Sequence, residues 1–272
     1  MSALIRGVGQ TVAMTYRKGL AGTPPGYTSW EAAGLTWLAE AQSSGTGARV
    51  VPVIDVTDEA LILEHLDQTL PTEALAEDFG RRLAATHDAG ASAFGCPPPS
   101  WERDHGWLGP AEGPLPLPTR PVGTWGAFYA EQRIRHTLRL GMARGMWQEK
   151  RRRTPYEKVA IRLENGEFDD ADTPARIHGD LWSGNILWTT EGGTLIDPAA
   201  HGGHRETDLA SLALFGTPHV ETIFAAYDEA HPLTPGWRER QGLHHLHLVM
   251  LHAVLFGGGY VHQAASIARR YA

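Results

Sequence analysis

The segment that carries Asp180, Asn185 and Asp197 constrains the fold of this chain more than any other. Two short stretches, 185–189 and 193–197, have the composition of strands, and the Glu-Gly pair between them is typical of a hairpin turn. Asp180 precedes the first strand, Asn185 begins it, and Asp197 ends the second. The hairpin is therefore expected to gather three oxygen-bearing side chains in one pocket.

The spacing of these side chains suits phosphoryl transfer. Asp180 and Asn185 have the Asp-x4-Asn spacing of a kinase catalytic loop, and Asp197 stands where a second magnesium-binding carboxylate follows. Asp180 would then be the base or orienting carboxylate for the acceptor hydroxyl, whereas Asn185 and Asp197 would ligate Mg²⁺ against the phosphates of ATP. His178 and Gly179 replace the His-Arg of protein kinases, which argues against regulation by a phosphorylated activation loop. The pattern predicts a kinase of small molecules.

A nucleotide site also needs a cation that contacts the phosphates and a carboxylate that orients it. Lys18 lies at the end of a predicted strand, and the helix that follows carries both Glu31 and Glu40. Helical periodicity does not choose between these two glutamates. A later apolar strand ends near Glu64 and fits the hinge between two lobes, where main-chain groups could receive adenine.

The remaining pattern predicts a small sheet followed by helices, with the change of character after Asp67. Strands are predicted at 11–17, 50–56 and 60–66, and helices at 30–41, 75–87, 154–163 and over most of the chain beyond the hairpin, interrupted at 257–259. Five prolines between 109 and 123 predict an extended loop packed on the body of the protein. We therefore expect one unit at 1–66 and a second at 67–272.

Composition excludes several classes of protein. The net charge of -7 argues against a nucleic-acid binder, and the basic run 150–153 is more typical of a solvated helix end. Because Cys96 is the single cysteine, an internal disulfide is impossible and a reducing cytosol is favoured. No signal peptide or membrane-spanning stretch is evident. We expect a soluble cytoplasmic protein, a monomer by preference, without nucleic-acid or membrane partners.

Taken together, these motifs resemble the fructosamine kinase family, whose members are relatives of the aminoglycoside phosphotransferases. The Leu-Trp-Ser-Gly insert after His-Gly-Asp distinguishes this family from most other small-molecule kinases. The matching segments run from about residue 18 to the C-terminus: 21–26, 31–40, 128–133, 178–188, 196–199, 203–210 and 255–260.

The resemblance implies an α+β, two-lobed protein-kinase-like fold, with a small antiparallel-sheet N-lobe at 1–66 and a larger, mainly helical C-lobe at 67–272. It also implies ATP- and Mg²⁺-dependent phosphorylation of a ketosamine, either a small molecule or a protein-bound fructosamine or ribulosamine adduct. Phosphorylation at the third carbon makes the adduct fall apart, so the implied role is protein deglycation.

Individual roles follow from the register with the family. Lys18 matches its phosphate-binding lysine, and Glu31 matches the partner of that lysine. Trp182 matches the tryptophan that packs on the sugar-amine substrate, although a place in the core stays open for it. Asp208 is expected to anchor the catalytic loop by hydrogen bonds.

Two further residues, His201 and His204, could suggest a metal site. They lack a third ligand nearby, so we expect structural roles rather than zinc binding.

The chain departs from the family pattern at its start. The family has two strands and a glycine-rich phosphate loop before the lysine strand, whereas seventeen residues precede Lys18 here. The segment 6–10 is either a remnant of that loop or, as we favour, a turn that leads into the lysine strand, so the N-lobe is expected to be shortened. Two alternative functions stay open: a kinase of another amino alcohol or aminoglycoside, and a non-catalytic nucleotide- or ligand-binding homologue.

Overall fold

The computed structural model describes residues 14–19, 22–43 and 45–272. A π-helical segment spans Tyr129–Arg135. Within these ranges the strands and α-helices are β1 (Thr15–Gly19), α1 (Tyr27–Ser43), β2 (Arg49–Val50), β3 (Val53–Val56), β4 (Ala60–Glu64), α2 (Glu73–Asp88), β5 (His105–Leu108), β6 (Leu115–Pro118), α3 (Trp125–Phe128), α4 (His136–Ala143), α5 (Lys150–Glu164), β7 (Ala175–Ile177), β8 (Ile186–Thr189), β9 (Gly192–Leu195), β10 (His201–Gly203), α6 (Arg205–Leu214), α7 (Val220–Ala230), α8 (Trp237–Phe256) and α9 (Gly259–Tyr271).

A three-stranded antiparallel sheet in the order β1-β4-β3 forms the smaller part of the molecule, and α1 packs against it. Leu61 and Leu63 of β4 are buried in the same core as Leu35 and Leu38 of α1. In β1, Lys18 is the half-buried residue among exposed ones, and it pairs with Leu61. The strand thus presents the lysine side chain inward. Lys18 lies inside β1 and not just after the end of a strand at 11–17, as predicted. The first three residues of that predicted strand and the segment 6–10 lie outside the described ranges.

The prediction of one strand at 50–56 is wrong, because the chain divides there into β2 and β3. Pro52, which cannot donate a hydrogen bond, separates the two strands, and its carbonyl accepts from the Glu64 amide at 3.0 Å. β3 joins the small sheet, whereas β2 pairs in parallel with β9 of the hairpin β8–β9. The hairpin that carries the predicted catalytic motif is therefore bonded directly to the segment that enters the small sheet.

Helices dominate the larger part, where the predicted helices at 75–87 and 154–163 are confirmed as α2 and α5. The basic run 150–153 lies in the first turn of α5, where 150–152 are exposed, as expected of a solvated helix end, and Arg153 is half-buried. The break predicted at 257–259 is found between α8 and α9, where Gly257 and Gly258 have φ of 67° and 59°. No helix among the described residues is long and apolar enough to cross a membrane.

The proline-rich stretch is only partly the loop that its composition predicts. Leu115–Pro118 forms β6, which pairs antiparallel with β5 as a two-stranded ribbon. Such a ribbon has free edges, so prolines without an N–H group are tolerated in it. Trp30 of α1 covers Gly106, where any side chain would overlap the indole ring, and its Nε1 donates to the Trp107 carbonyl at 3.0 Å. The ribbon is thus fixed next to α1.

Candidate active site

The loop after β7 is held in place by the buried carboxylate of Asp208. One oxygen of Asp208 accepts from the His178 amide at 2.7 Å, and the other accepts from the Gly179 amide at 3.0 Å. Gly179 has a φ of 81°, and a Cβ there would overlap the Ala199 carbonyl, so the position requires glycine. The hydrogen bonds correspond to the anchoring role expected of Asp208, which places the next residue, Asp180.

Asp208 is itself held by the helices behind it. His87 of α2 donates from Nε2 to Asp208 at 3.1 Å, and the Tyr227 hydroxyl of α7 lies 2.7 Å from Nδ1 of His87. Burial favours the neutral acid, but the hydrogen bonds from His87 and from the amides outweigh it and keep the pKa of Asp208 below its usual range. The loop that carries Asp180 therefore rests on a buried carboxylate whose charged form is favoured by its hydrogen-bond donors.

Asn185 and Asp180 are in direct contact. Nδ2 of Asn185 donates to the Asp180 carbonyl at 2.7 Å and to its Oδ2 at 3.3 Å. This orientation leaves Oδ1 of Asn185 as the amide oxygen that accepts no hydrogen bond from the described residues. Burial raises the pKa of Asp180 to about 7, since Asn185 only partly offsets the loss of water. A carboxylate with such a pKa can accept a proton near neutral pH.

Lys18 connects the small sheet to the hairpin. Its Nζ lies 2.9 Å from both carboxylate oxygens of Glu31 and 2.9 Å from Oδ1 of Asp197. Burial opposes the charge of Lys18, but the two carboxylates outweigh it and raise the pKa of the lysine. Glu40, the alternative partner in the sequence, instead pairs with Arg176 at 3.1 Å. Tertiary structure thus selects Glu31.

Three cavities meet at these residues. The central one, of about 90 Å³, is lined by Lys18, Glu31, Asp180 and Asp197, together with Tyr27. Burial raises the pKa of Tyr27 to about 12, and its hydroxyl donates to the Gly109 carbonyl at 3.3 Å.

Asp180 and Asp197 therefore face a common space. Asn185 is 5% exposed and is not among the described residues that line the central cavity. It contacts Asp180, which does line the cavity. Asp197 has a φ of 53°, an uncommon conformation for a residue other than glycine.

The second cavity, of about 330 Å³, opens from Lys18 and Asp197 along the inner side of the small sheet. Leu63 and Leu187 give it apolar walls, and Glu64 lies at its edge. The Glu64 amide is bonded within the protein, whereas the Leu66 amide, two residues further on, has no hydrogen-bond partner in the described ranges. A flat apolar group could lie between the walls and bond to the chain at 64–66.

The third cavity, of about 320 Å³, opens from the other side of Asp180 and is mainly apolar. Trp182 lines it and is 40% exposed, so it is not one of the core tryptophans. Gly184 makes room for this indole, because a Cβ at that position would overlap the Trp182 ring. The Leu-Trp-Ser-Gly insert therefore builds one wall of the cavity.

The sequence did not indicate several residues that line the central and third cavities. Tyr27 precedes the predicted helix at 30–41 but begins α1, and Phe215 follows the end of α6. His252 and Phe256 lie one turn apart on α8, within the region beyond the hairpin that is predicted to be mostly helical. The available signal was a histidine within the mainly apolar stretch 248–256.

The two histidines discussed for zinc are bonded within the protein. His201 donates from Nδ1 to the Ala199 carbonyl at 2.8 Å. His204 lies close enough to Glu206 and His244 for the three to hold a metal ion. However, Arg240 contacts Glu206 through two hydrogen bonds, and its guanidinium would repel a cation there. The group forms a buried ion-pair network that holds α6 against α8.

Comparison with known proteins identifies the family. The sequence model of the fructosamine kinase family matches residues 24–272 of this chain. The chain belongs to this family. A probable ketoamine kinase of Synechocystis sp. is 32% identical over 243 residues, which cover 88% of this chain and 77% of the relative.

Solved structures agree with the assignment. A structure from Thermobifida fusca, assigned as a fructosamine-3-kinase, is 42% identical with a TM-score of 0.84 and covers 95% of this chain and 85% of that one. An ADP-bound aminoglycoside phosphotransferase is 12% identical with a TM-score of 0.57, covering 90% of this chain and 83% of that one, and shows likeness of fold alone. This family member is thus a phosphotransferase with the predicted α+β, two-lobed protein-kinase-like fold. The domain boundary at residue 66 and the roles of the individual site residues stay predictions.

Proposed function

We propose that this protein transfers the γ-phosphoryl group of ATP to a sugar hydroxyl of a ketosamine, and so acts in the removal of sugar adducts from amines. The observation that carries the proposal is the position of Asp180, which lines both the central cavity and the apolar third cavity. Lys18 and Asp197 in turn line both the central cavity and the second one. A nucleotide in the second cavity and an acceptor in the third would meet at the carboxylates.

The nucleotide side has the parts that phosphate binding requires. Lys18, held by Glu31, supplies a fixed positive charge for the phosphates, and the chain at 64–66 offers a main-chain amide to adenine. Oδ1 of Asn185 and the carboxylate of Asp197 are the hard oxygen ligands that Mg²⁺ prefers, so these residues fit the ion. Mg²⁺, when bound, would neutralise charge on the phosphates.

On the acceptor side, Asp180 would accept the proton of the attacking hydroxyl. The hydroxyl oxygen then forms a bond to the γ-phosphorus, the bond from phosphorus to the β–γ bridging oxygen breaks, and ADP leaves with that electron pair. Trp182 would cover the sugar-amine, and phosphorylation at the third carbon would make the adduct unstable. The buried single Cys96 suits a reducing cytoplasm, and one chain supplies all the named residues, so a monomer would suffice.

The test is ATP consumption in the presence of ribulose- or fructose-modified lysine. Wild-type protein should turn over, and Asp180→Asn should lose about 10²–10⁴-fold in rate. Mass spectrometry of the product should locate the phosphate on the sugar. Equal rates for the two proteins would end the proposal.

The two alternatives are separated by further measurements. Phosphate transfer to an aminoglycoside or choline but to no ketosamine would favour the amino-alcohol kinase. Calorimetry that detects nucleotide binding without turnover on any acceptor would favour the non-catalytic homologue. Trp182 at the third cavity favours the ketosamine among these.

A further inference from the structure

The third cavity continues well beyond the reacting carboxylate along a row of aromatic rings. Trp182 and Phe215 meet edge to face with centroids 6.2 Å apart, Phe215 lies 5.1 Å from His252, and His252 lies 5.5 Å from Phe256. Phe256 is 62% exposed, which is unusual for a phenylalanine. An exposed ring in line with a cavity offers apolar surface to a ligand.

Aliphatic side chains complete this wall. Leu248, Leu251 and Leu255 of α8 line the cavity, as does the loop at Gly109. Helical spacing of three and four residues places these leucines on one side of α8. The part of the acceptor that lies beyond the sugar would therefore contact aromatic and aliphatic groups.

The charges around the cavity are few. Asp180 is the one carboxylate among the described residues that line it, and the reaction engages that group with the acceptor hydroxyl. His252 donates from Nδ1 to the Leu248 carbonyl at 2.8 Å, so only its Nε2 is left for a ligand. A second ammonium group on the amine would lose water here without gaining a carboxylate partner.

We propose that this cavity selects ketosamines whose amine carries an uncharged apolar substituent over those whose amine carries a second positive charge. The inference rests on the proposed function and names its substrate class. A lysine within a peptide belongs to the preferred class, since its sugar-bearing nitrogen is followed by four methylenes and a neutral main chain. A diamine adduct belongs to the disfavoured class.

The experiment compares kcat/KM for ribulosamines made from ethylamine, propylamine, butylamine and pentylamine with that for the adduct of 1,5-diaminopentane. Burial of each added methylene should raise kcat/KM by about fourfold until the cavity is filled. The diamine adduct should fall roughly tenfold or more below the pentyl adduct, because its ammonium is desolvated without a partner. A flat alkyl series, or a diamine adduct as good as the pentyl one, would overturn the inference.

A carboxylate introduced at the mouth of the cavity gives a second test, in which activity on the diamine adduct is gained relative to the pentyl adduct. Phe256→Asp should raise the ratio of diamine to pentyl kcat/KM by roughly tenfold, since it supplies the missing carboxylate. A changed preference of this kind does not arise from misfolding. Ile161→Asp, at a 50% exposed position on α5, is the matched control and should leave the ratio unchanged. An unchanged ratio in Phe256→Asp would contradict the proposal.

The outcomes also distinguish a failure of this selectivity from a failure of the proposed kinase function. If neither the ribulosamine series nor fructose-modified lysine is phosphorylated, both fall. If fructose-modified lysine alone is phosphorylated, the proposed function stands and this inference falls. If all ribulosamines of the series are phosphorylated with the same kcat/KM, the proposed function stands and the selectivity alone is refuted.

Discussion

The carboxylate of Asp208 accepts a hydrogen bond from the Gly179 amide at 3.0 Å, one residue before Asp180. Asp208 lies on α6 and lines none of the three cavities described above. It therefore positions Asp180 indirectly, by accepting hydrogen bonds from the main-chain amides of the two preceding residues. The geometry of this family member thus depends on charges in its core as well as on charges in its cavities.

Asp208→Ala should cost about 2–5 kcal/mol of unfolding free energy, because two buried amides and His87 lose their acceptor. Urea unfolding measures the loss. Asp67→Ala, at a fully solvated carboxylate, is the control and should change stability by less than about 0.5 kcal/mol. A loss as small as that in Asp208→Ala would show that the loop has another anchor.

Glu31→Gln and Glu40→Gln form a matched pair, since helical periodicity does not choose between these glutamates and only the family resemblance favoured Glu31. Glu31→Gln should lower kcat/KM for ATP by roughly 10–100-fold, because Lys18 loses a charged hydrogen-bond partner. Glu40→Gln should remain within about twofold of wild type, because an exposed ion pair with Arg176 contributes little. The reverse order in steady-state kinetics would refute the assignment of Glu31.

The rate of phosphorylation should depend on pH through Asp180. The carboxylate form is the one that accepts the hydroxyl proton, so kcat/KM for the acceptor should fall as pH drops through about 7, the pKa that burial gives this group. The profile should reach a plateau above that pH. A profile that stays flat down to pH 5 would show that Asp180 does not act as the base.

The stability of the protein should also depend on pH through Asp180, but here the neutral form of the carboxyl group is the favourable one. Because burial raises the folded-state pKa of Asp180 above that of the unfolded chain, its stabilising neutral form is fully present below about pH 4 and is lost as pH rises to about 7. Asp180→Asn should therefore melt a few degrees higher than wild type at about pH 8 and close to wild type at about pH 5. Equal melting temperatures at both pH values would indicate an unperturbed carboxyl group.

Gly184→Ala tests the wall formed by Trp182. The new methyl group would overlap the indole and displace it, so kcat/KM for the ketosamine should fall by roughly 10–100-fold while KM for ATP stays within about twofold. Gly113→Ala is the control, since no atom lies within 4 Å of a Cβ at that position. Kinetics with each substrate varied in turn would decide, and an equal effect on both substrates would count against a role of Trp182 in acceptor binding.

The local chemistry of the site could be predicted from the sequence, because it is encoded over short distances. The Asp-x4-Asn spacing is present in the sequence as it stands, and the hairpin follows from local rules of turn and strand formation. The small antiparallel sheet and the helices α1, α2 and α5 were also predictable, since their apolar residues repeat with the period of each element.

Local rules gave less reliable results where pairing partners are distant. The strand predicted at 50–56 divides because β2 finds its partner in β9, more than a hundred residues later. Prolines in β6 suggested a loop, yet the ribbon with β5 accepts them because it has free edges.

By itself, the sequence determined which chemical groups this protein possesses and in what order they follow one another: a lysine, two candidate glutamates, and the Asp-Asn-Asp series at 180, 185 and 197. Only the tertiary structure placed Lys18 in contact with Glu31 and Glu40 in contact with Arg176, and brought α8 opposite Trp182 across an apolar cavity. The physical reason is that ion pairs and cavity walls depend on distances between residues far apart in the chain. Those distances are fixed by the packing of whole elements, which no local pattern records.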